Sequence, residues 1–301
     1  MSLSKEMRAS MAIPNSIRVK RPVATILSCL ALAVFAVIFV MPLYVMIVTS
    51  LKSMDEVRMG HIFALPGRPN LQAWDYAWNT AASGFLNKGL KSGFWNSIKI
   101  LIPSLVMEIS ISSVCGYALA CWKVKFGNAL LSALLLCAFV PFPIIMYPLI
   151  KMTAAVKLYN TLFGVSVVHT ILAIPILTLI FKNYFASIPV DLIKAARVDG
   201  GRFLGTFLHI VLPLSGNIMV VVAIMQITGI WNDFLVGLSF GNARAFPMTV
   251  NLNNITQTQT GVRLYNVYMA AALLTAIPPL IIYFISGKLF IRGITAGALK
   301  G

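Results

Sequence analysis

The stretch SIPVDLIKAARVDGGRFLGTFLHIVLP, residues 187–213, separates two long apolar runs and carries clear local helix signals. Pro189 stands where the first turn of a helix tolerates proline. Asp191 lies in that same turn, where a negative charge suits the helix dipole. Gly200 then follows, as a helix-ending residue commonly does. The stretch therefore predicts a short helix closed by a glycine turn, with one face formed by Leu192, Ala195, Ala196 and Asp199.

A second helical pattern follows the glycine turn. Phe203, Phe207 and Ile210 recur at helical spacing, and Pro213 is expected to bend the chain into the next apolar run. We therefore expect helix, turn and helix to lie at a membrane surface, with two adjacent alanines that let a partner backbone come close. An amphipathic helix that only seals a loop is equally consistent with these residues.

The rest of the chain is mostly apolar. Of its 301 residues 59% are hydrophobic and 11% are charged, and its mean hydropathy is +0.87, whereas a soluble domain carries about 25% charged residues. A membrane span needs about 20 mostly apolar residues. The sequence therefore predicts an all-α integral membrane protein with six transmembrane helices, over residues 23–49, 97–120, 129–150, 162–185, 210–234 and 267–291.

The distribution of basic residues predicts the orientation. Six spans place both termini on one side of the membrane, and 14 of the 24 lysines and arginines fall in the tails and loops of that side. The positive-inside rule then places both termini in the cytoplasm. The predicted parts are a cytoplasmic tail (1–22), a six-span domain (23–291) with a cytoplasmic loop (187–209) and an outward loop (239–265), and a second cytoplasmic tail (292–301).

Several classes of function are disfavoured by what the sequence lacks. The net charge of +16 is spread between apolar runs rather than clustered, so no nucleic-acid partner is predicted. No G-x-x-x-x-G-K-[ST] phosphate loop occurs, and His61, His169 and His209 show no metal-ligand spacing. We therefore expect a non-catalytic chain that binds neither a metal nor a cofactor of its own.

Polar residues inside apolar runs are candidates for a solute pathway, because polar groups in lipid usually face a partner helix or a cavity. For Glu108 and His169 we favour hydrogen bonds between helices. Five further polar or aromatic residues lie in the fifth predicted span or at its end: Gln226, Thr228, Trp231, Asn232 and Asp233. They could line a solute pathway, with the Trp231 indole stacked on a sugar, or they could serve helix packing.

The pattern Ala195-Ala196, Asp199-Gly200 and Ile210-Val211-Leu212-Pro213 resembles the "EAA loop" of ABC importer permeases. The resemblance implies a coupling helix, over 189–206, that sits in a cleft of a cytoplasmic ATPase subunit. The family usually has glutamate where this chain has Lys194, and Asp191, one turn earlier, is the candidate substitute for that charge. The implied docking residues are Asp191, Lys194, Ala195, Ala196, Asp199, Gly200 and Phe203.

Three further patches, at residues 231–234, 246–250 and 292–300, resemble the second permease of carbohydrate importers of the maltose-transporter type. This implies a location in the bacterial inner membrane and four kinds of neighbour. These are membrane lipid, a second permease, two ATPase subunits that bind ATP and Mg²⁺, and an extracytoplasmic sugar-binding protein.

In such importers part of the outward loop reaches the binding protein, which implies contacts from Asn251, Asn253, Asn254, Gln257 and Gln259. Residues 258–267 loosely resemble permeases for glucose or mannose. An ABC permease for a non-sugar solute is an alternative interpretation. An ion-coupled carrier is a weaker one, because internal repeats are not visible and only Glu108 is a clear midplane acid.

Overall fold

The protein, seen in a computed structural model that describes residues 22–83, 86–122, 124–257 and 263–298, is almost entirely helical. Ala82–Ser83 and Leu86–Asn87 form a short antiparallel pair, β1 and β2. The helices are α1 (Pro22–Ser50), α2 (Met54–Arg58), α3 (Gln72–Asn79), α4 (Gly89–Cys121), α5 (Gly127–Ala138), α6 (Phe142–Ala155), α7 (Leu162–Phe185), α8 (Val190–Val198), α9 (Phe203–Leu214), α10 (Gly216–Asn232), α11 (Leu235–Phe240), α12 (Met248–Gln257) and α13 (Tyr265–Ala298).

In the described part of the chain, four helices are long and apolar enough to cross a membrane unaided: α1, α4, α7 and α13. Two helix pairs, α5 with α6 and α9 with α10, pass the same test only when each is taken as one bent span. The prediction of an all-α membrane protein is confirmed, with up to six spans in the described part of the chain.

The third and fifth predicted spans are not single straight helices, which corrects the sequence-based expectation. Segment 129–150 is divided between α5 and α6, whose axes differ by 109°, and Pro141 precedes α6 at the break. The fifth span bends by 80° at Ser215 and not at Pro213. A π-helical stretch, Phe207–Val211, precedes Pro213. Proline removes one helical hydrogen bond, and such local irregularities bend helices.

Helices α4 and α7 pack side by side through small residues. The Ser166 hydroxyl donates to the Ile100 carbonyl at 3.0 Å, and Gly116 lies directly against Phe181. Small side chains let helix backbones approach closely, so that dispersion and hydrogen bonds replace the hydrophobic effect within lipid. This pair is therefore the centre of the bundle.

Buried apolar side chains form two clusters at opposite ends of the bundle. The loop-end cluster lies beside the 187–213 stretch and comprises Tyr117, Leu177, Phe181, Phe185, Ile193, Phe207, Val211 and Val222. The far-end cluster includes Leu90, Ile100, Val168, Trp231, Phe240 and Met248. The loop-end cluster thus joins residues of α4, α7, α8, α9 and α10.

Helix α1 is exposed over most of its length. From residue 25 onward, the buried residues of α1 are the last three, Val48, Thr49 and Ser50, where the helix end packs near α13. An apolar surface of this extent is covered by lipid or by protein in a stable membrane protein.

A single added methyl group tests the α4–α7 packing. A β-carbon at Gly116 would lie 2.7 Å from the Phe181 β-carbon and 2.8 Å from the Lys182 backbone nitrogen. We expect Gly116→Ala to lower the free energy of unfolding by about 1–3 kcal/mol through overpacking, measured as a lower Tm of the purified protein. The control is Gly229→Ala in α10, where a β-carbon meets nothing within 4 Å. Equal Tm values for the two variants would contradict the packing account.

Candidate coupling helix and polar contacts of the bundle

Helix α8 lies where the sequence predicted a helix, and one side of it faces the bundle. Ile193 is buried in the loop-end cluster. Leu192 and Ala195 are exposed, and Val198 is 87% exposed. An exposed face that includes apolar side chains is a typical protein contact surface.

Lys194 and Asp191 neutralise each other locally. The Lys194 ammonium lies 3.2 Å from the Asp191 carboxylate, and both side chains are exposed. A pair at this spacing on a helix surface contributes only about 0.2–0.5 kcal/mol. The lysine that replaces the family's glutamate is thus paired within α8, and Asp191 is engaged with it.

The predicted glycine turn is present, and it requires two glycines. Gly200 has a φ of +81°, a conformation that glycine adopts without strain. The Gly201 N–H donates to the Ala196 carbonyl at 2.7 Å, and a β-carbon at Gly201 would lie 2.5 Å from that oxygen. Asp199 is the exposed residue at the end of α8. The sequence pattern predicted the role of Gly200 but not that of Gly201. The need for glycine at position 201 comes from its close approach to the Ala196 carbonyl, which only the structure shows.

Arg197 attaches α8 to the end of α4, a contact that the sequence reasoning missed. Its guanidinium donates to the Cys121 carbonyl at 2.8 Å and lies 4.2 Å from the centre of the Trp122 ring. Phe203 packs beside the same indole, with ring centres 5.3 Å apart. Arginine combines a planar donor array with stacking on aromatic rings. Helix α8 is therefore fixed to α4 as well as to the loop-end cluster.

The polar residues of the fifth span mostly serve helix packing. Gln226 donates to the carboxylate of Glu108 at 2.6 Å, and Glu108 is fully buried. This contact between α10 and α4 confirms the helix-to-helix interpretation of Glu108. The Thr228 hydroxyl donates to the Ile224 carbonyl of its own helix, at 2.9 Å.

Trp231 does not present its ring to a solute in this conformation, which corrects the stacking expectation. The indole is 2% exposed, and its N–H donates to the Thr275 carbonyl at 3.1 Å. Its ring centre lies 5.7 Å from that of Phe94, in an edge-to-face arrangement. Trp231 therefore joins α10 to α13 and α4, while its neighbour Asn232 is exposed.

Asp233 stabilises the start of α11, the short helix that leads into the 239–265 loop. Its carboxylate accepts hydrogen bonds from the N–H groups of Val236 and Gly237, at 3.3 and 2.9 Å, and so caps α11. The His169 ring lies 3.7 Å from the same carboxylate. The contact joins α7 to the end of α10, so the structure shows a structural role for both residues.

The described residues of the 239–265 loop are folded onto the bundle, and some of the predicted contact residues among them are not at the surface. Asn251 in α12 is buried, and its amide donates to the Ser92 hydroxyl at 3.3 Å, which corrects its prediction as a contact residue. Gln257 is exposed, and Asn253 and Asn254 are partly exposed. Gln259 lies outside the described residues.

Asn96 holds the loop to α4 and was not among the predicted residues. Its amide donates to the carbonyls of Arg244 and Phe246 at 2.9 and 3.0 Å. An asparagine in an apolar run is a signal for such a contact, although its partners lie far away in sequence. Within the described residues, no group of three or more His, Cys, Asp or Glu side chains could hold a metal ion.

The described residues thus form a bundle of membrane-length helices with a short, exposed helix attached at one end, as in a multi-pass membrane protein. The family profile of binding-protein-dependent transport system inner membrane components matches residues 109–296. The chain belongs to this family. It is therefore a multi-pass permease component of the inner membrane, a non-catalytic subunit of a binding-protein-dependent ABC importer.

Two relatives and one solved structure illustrate the similarity. A probable ABC transporter permease protein of Pyrococcus horikoshii is 40% identical over 178 residues, which are 59% of this chain and 64% of that protein. The arabinooligosaccharides transport system permease protein AraQ of Halalkalibacterium halodurans is 30% identical over 93% of this chain and 98% of its own. A chain of a bacterial ABC transporter that imports the acidic polysaccharide alginate shares the fold, with a TM-score of 0.77, 19% identity, and coverage of 89% of this chain and 97% of that one.

The glycine turn can be tested without reference to function. We expect Gly201→Ala to accelerate hydrogen–deuterium exchange in residues 190–200, because the added methyl group pushes against the Ala196 carbonyl. A cost of about 1.4 kcal/mol corresponds to roughly tenfold faster exchange. The matched control is Gly205→Ala, where a β-carbon meets nothing within 4 Å. Unchanged exchange in Gly201→Ala would show that the turn tolerates a side chain.

Proposed function

We propose that α8 docks on an ATPase subunit and transmits its closure to the transmembrane helices. The observation that carries this proposal is the double attachment of α8. Ile193 packs in the loop-end cluster, and Arg197 is bonded to the end of α4. Helix α9 follows the glycine turn and leads directly into α10. A force on α8 would therefore reach a membrane span through packed side chains and a continuous helical connection, not through a flexible loop.

The proposed docking surface consists of the residues that α8 and its turn expose. Val198, Ala195 and Asp199 are exposed, and the small alanine allows close approach of a partner. The Asp191–Lys194 pair leaves little net charge on this face. We therefore propose that shape and apolar contact determine docking here, with Gly200 and Phe203 supporting the turn.

The proposed assembly has a second, related permease, two ATPase subunits that bind ATP and Mg²⁺, and an extracytoplasmic solute-binding protein. Both termini lie in the cytoplasm in this proposal. The exposed apolar surface of α1 supports an assembly in which lipid and a partner permease cover it. The proposed mechanism is alternating access, in which ATP closes the ATPases and the spans open outward, and hydrolysis resets them.

The proposed solute is a carbohydrate. Support comes from the similarity to AraQ over nearly the full length of both chains, together with the fold shared with the alginate importer. Neither of these proteins is described as a glucose or mannose permease, and residues 258–262 lie outside the described part of the chain. The proposed solute class is therefore carbohydrate, without a preference for glucose or mannose.

The proposed pathway lies between this chain and the second permease. Gln226, Trp231 and Asp233 are engaged within the bundle, whereas Thr228 and Asn232 are exposed. These two residues are the remaining candidates on α10 for contact with a passing solute. On the outward side, Asn253, Asn254 and Gln257 remain the candidates for contact with the binding protein.

The solute class is tested by ATP hydrolysis of the reconstituted complex. Its binding protein is loaded in turn from a panel of mono- and oligosaccharides. We expect one carbohydrate to stimulate hydrolysis, because a closed, loaded binding protein would favour the outward-open state. Stimulation only by a non-sugar solute would contradict the carbohydrate proposal. Uptake that survives ATP depletion and collapses with the proton gradient would instead support an ion-coupled carrier.

Coupling through Arg197 has its own test. We expect Arg197→Met to preserve basal ATP hydrolysis by the complex and to lower solute stimulation by about tenfold, which corresponds to roughly 1.4 kcal/mol of lost coupling. The guanidinium bond to Cys121 and the stacking on Trp122 would both be lost. The control is Lys125→Met, which removes an equal charge from an exposed position between α4 and α5. Full stimulation in Arg197→Met would exclude this contact from the coupling route.

A further inference from the structure

A small cavity that contains a buried lysine lies where α1 ends. Its volume is about 270 Å³, and it is enclosed by the end of α1, α2, the segment that follows α2 and the start of α13. Lys52, two residues beyond α1, is only 3% exposed. The polar groups of the lining belong to Thr49, Lys52, His61 and Tyr265, and the apolar ones to Val45 and Val57, among others.

Lys52 is held firmly, but its charge is not neutralised by the described residues. Its ammonium donates to the His61 carbonyl at 2.7 Å, and its own carbonyl accepts from the Asn266 amide at 3.0 Å. An ammonium has three donors, and this bond uses one. The chain has eight acidic residues, all described except Glu6, and none of the described ones forms an ion pair with Lys52.

The two carboxylates nearest in sequence are committed elsewhere. Glu56 accepts hydrogen bonds from the N–H groups of Ser53 and Gly67, at 3.0 and 2.8 Å. These bonds hold the pKa of Glu56 below its usual value, so it remains ionised and bound in place. Asp55 is exposed and lies 3.7 Å from Arg58. Burying an unpaired charge is costly. We therefore expect an anion from outside the chain to compensate the charge of Lys52.

The cavity lies where two membrane-length helices, α1 and α13, have neighbouring ends. The apolar helix α1 ends at Ser50, and α13 begins at Tyr265, so the cavity lies at the boundary of the hydrocarbon layer. Two amphipathic aromatic residues mark the same level. Tyr44 donates to the Phe63 carbonyl at 2.8 Å, and Trp74 donates to the Ser50 hydroxyl at 3.1 Å. Tyrosine and tryptophan are enriched at membrane interfaces.

An open apolar groove on the surface of α1 lies next to this level, toward the middle of the helix. It has a volume of about 430 Å³ and is lined by Ala36, Val37, Val40, Met41 and Tyr44. Met41 is one helical turn before Val45, which lines the lysine cavity. A buried cation above an apolar groove matches the two parts of a phospholipid, an anionic headgroup and an acyl chain.

We propose that Lys52 binds the phosphate of an anionic phospholipid whose acyl chain lies along the α1 groove. The two free donors of the ammonium suit phosphate oxygens, because charge-assisted hydrogen bonds are the strong ones. Basic pockets beside membrane helices bind headgroups in this way. In the orientation proposed above, the lipid belongs to the outer leaflet. The site does not depend on which solute is transported.

Native mass spectrometry of the detergent-solubilised complex tests the site. The probe is phosphatidylglycerol, with phosphatidylcholine as the zwitterionic comparison. We expect Lys52→Met to weaken phosphatidylglycerol binding by about fivefold, as expected for one basic side chain at a membrane surface. Lys91→Met, which removes the same charge from an exposed position on α4, is the matched control and should bind like the unaltered protein.

A second variant keeps the test decisive if Lys52→Met does not assemble. Val45→Trp fills the cavity and leaves the lysine in place, and it should also reduce phosphatidylglycerol binding. Inorganic phosphate is titrated in parallel to separate the two sources of a phosphate group. The proposal would be overturned if both variants bound phosphatidylglycerol as the unaltered protein does. It would also be overturned if inorganic phosphate displaced bound phosphatidylglycerol as readily as added phosphatidylglycerol does.

Discussion

The packing of Tyr117 against Phe203 and Phe207 is the contact on which the rest of the structure depends. The ring centres lie 4.9 and 5.3 Å from that of Tyr117, which is fully buried. Aromatic pairs of this kind contribute about 0.5–1.5 kcal/mol beyond their buried area. Because Tyr117 follows Gly116, where α4 meets α7, the same point ties the 187–213 stretch to the centre of the bundle.

Polar contacts complete this bundle and explain why candidate pathway residues have structural roles. In lipid a polar group without a hydrogen-bond partner has a high free-energy cost, so such groups form hydrogen bonds between neighbouring helices. Glu108 with Gln226 joins α4 to α10, and Trp231 with the Thr275 carbonyl joins α10 to α13. These contacts join α10 to α4 and α13, so movement of α10 would carry both helices with it, as the proposed alternating-access mechanism requires.

The sequence predicted the membrane helices well where the chain runs straight and less well where it bends. The apolar run 162–185 coincides with α7, whereas runs 129–150 and 210–234 are each divided between two helices. Hydropathy indicates the length of an apolar segment but gives no information on where its helix bends. The glycine turn at Gly200 was predictable from helix-ending rules. The contact of Arg197 with Cys121 was not, since it joins residues 76 positions apart and depends on how α4 and α8 meet.

The central claim, that α8 and the end of α4 move as one body, can be measured directly by pulsed electron–electron spectroscopy. Spin labels would replace Val198 and Phe126, both exposed, in a complex whose native cysteines are replaced by alanine. A third label at exposed Leu238 in α11 reports the opposite end of the bundle. On ATP binding, the account predicts an unchanged Val198–Phe126 distance and a changed Val198–Leu238 distance. A Val198–Phe126 distance that shifts as much as the other would contradict it.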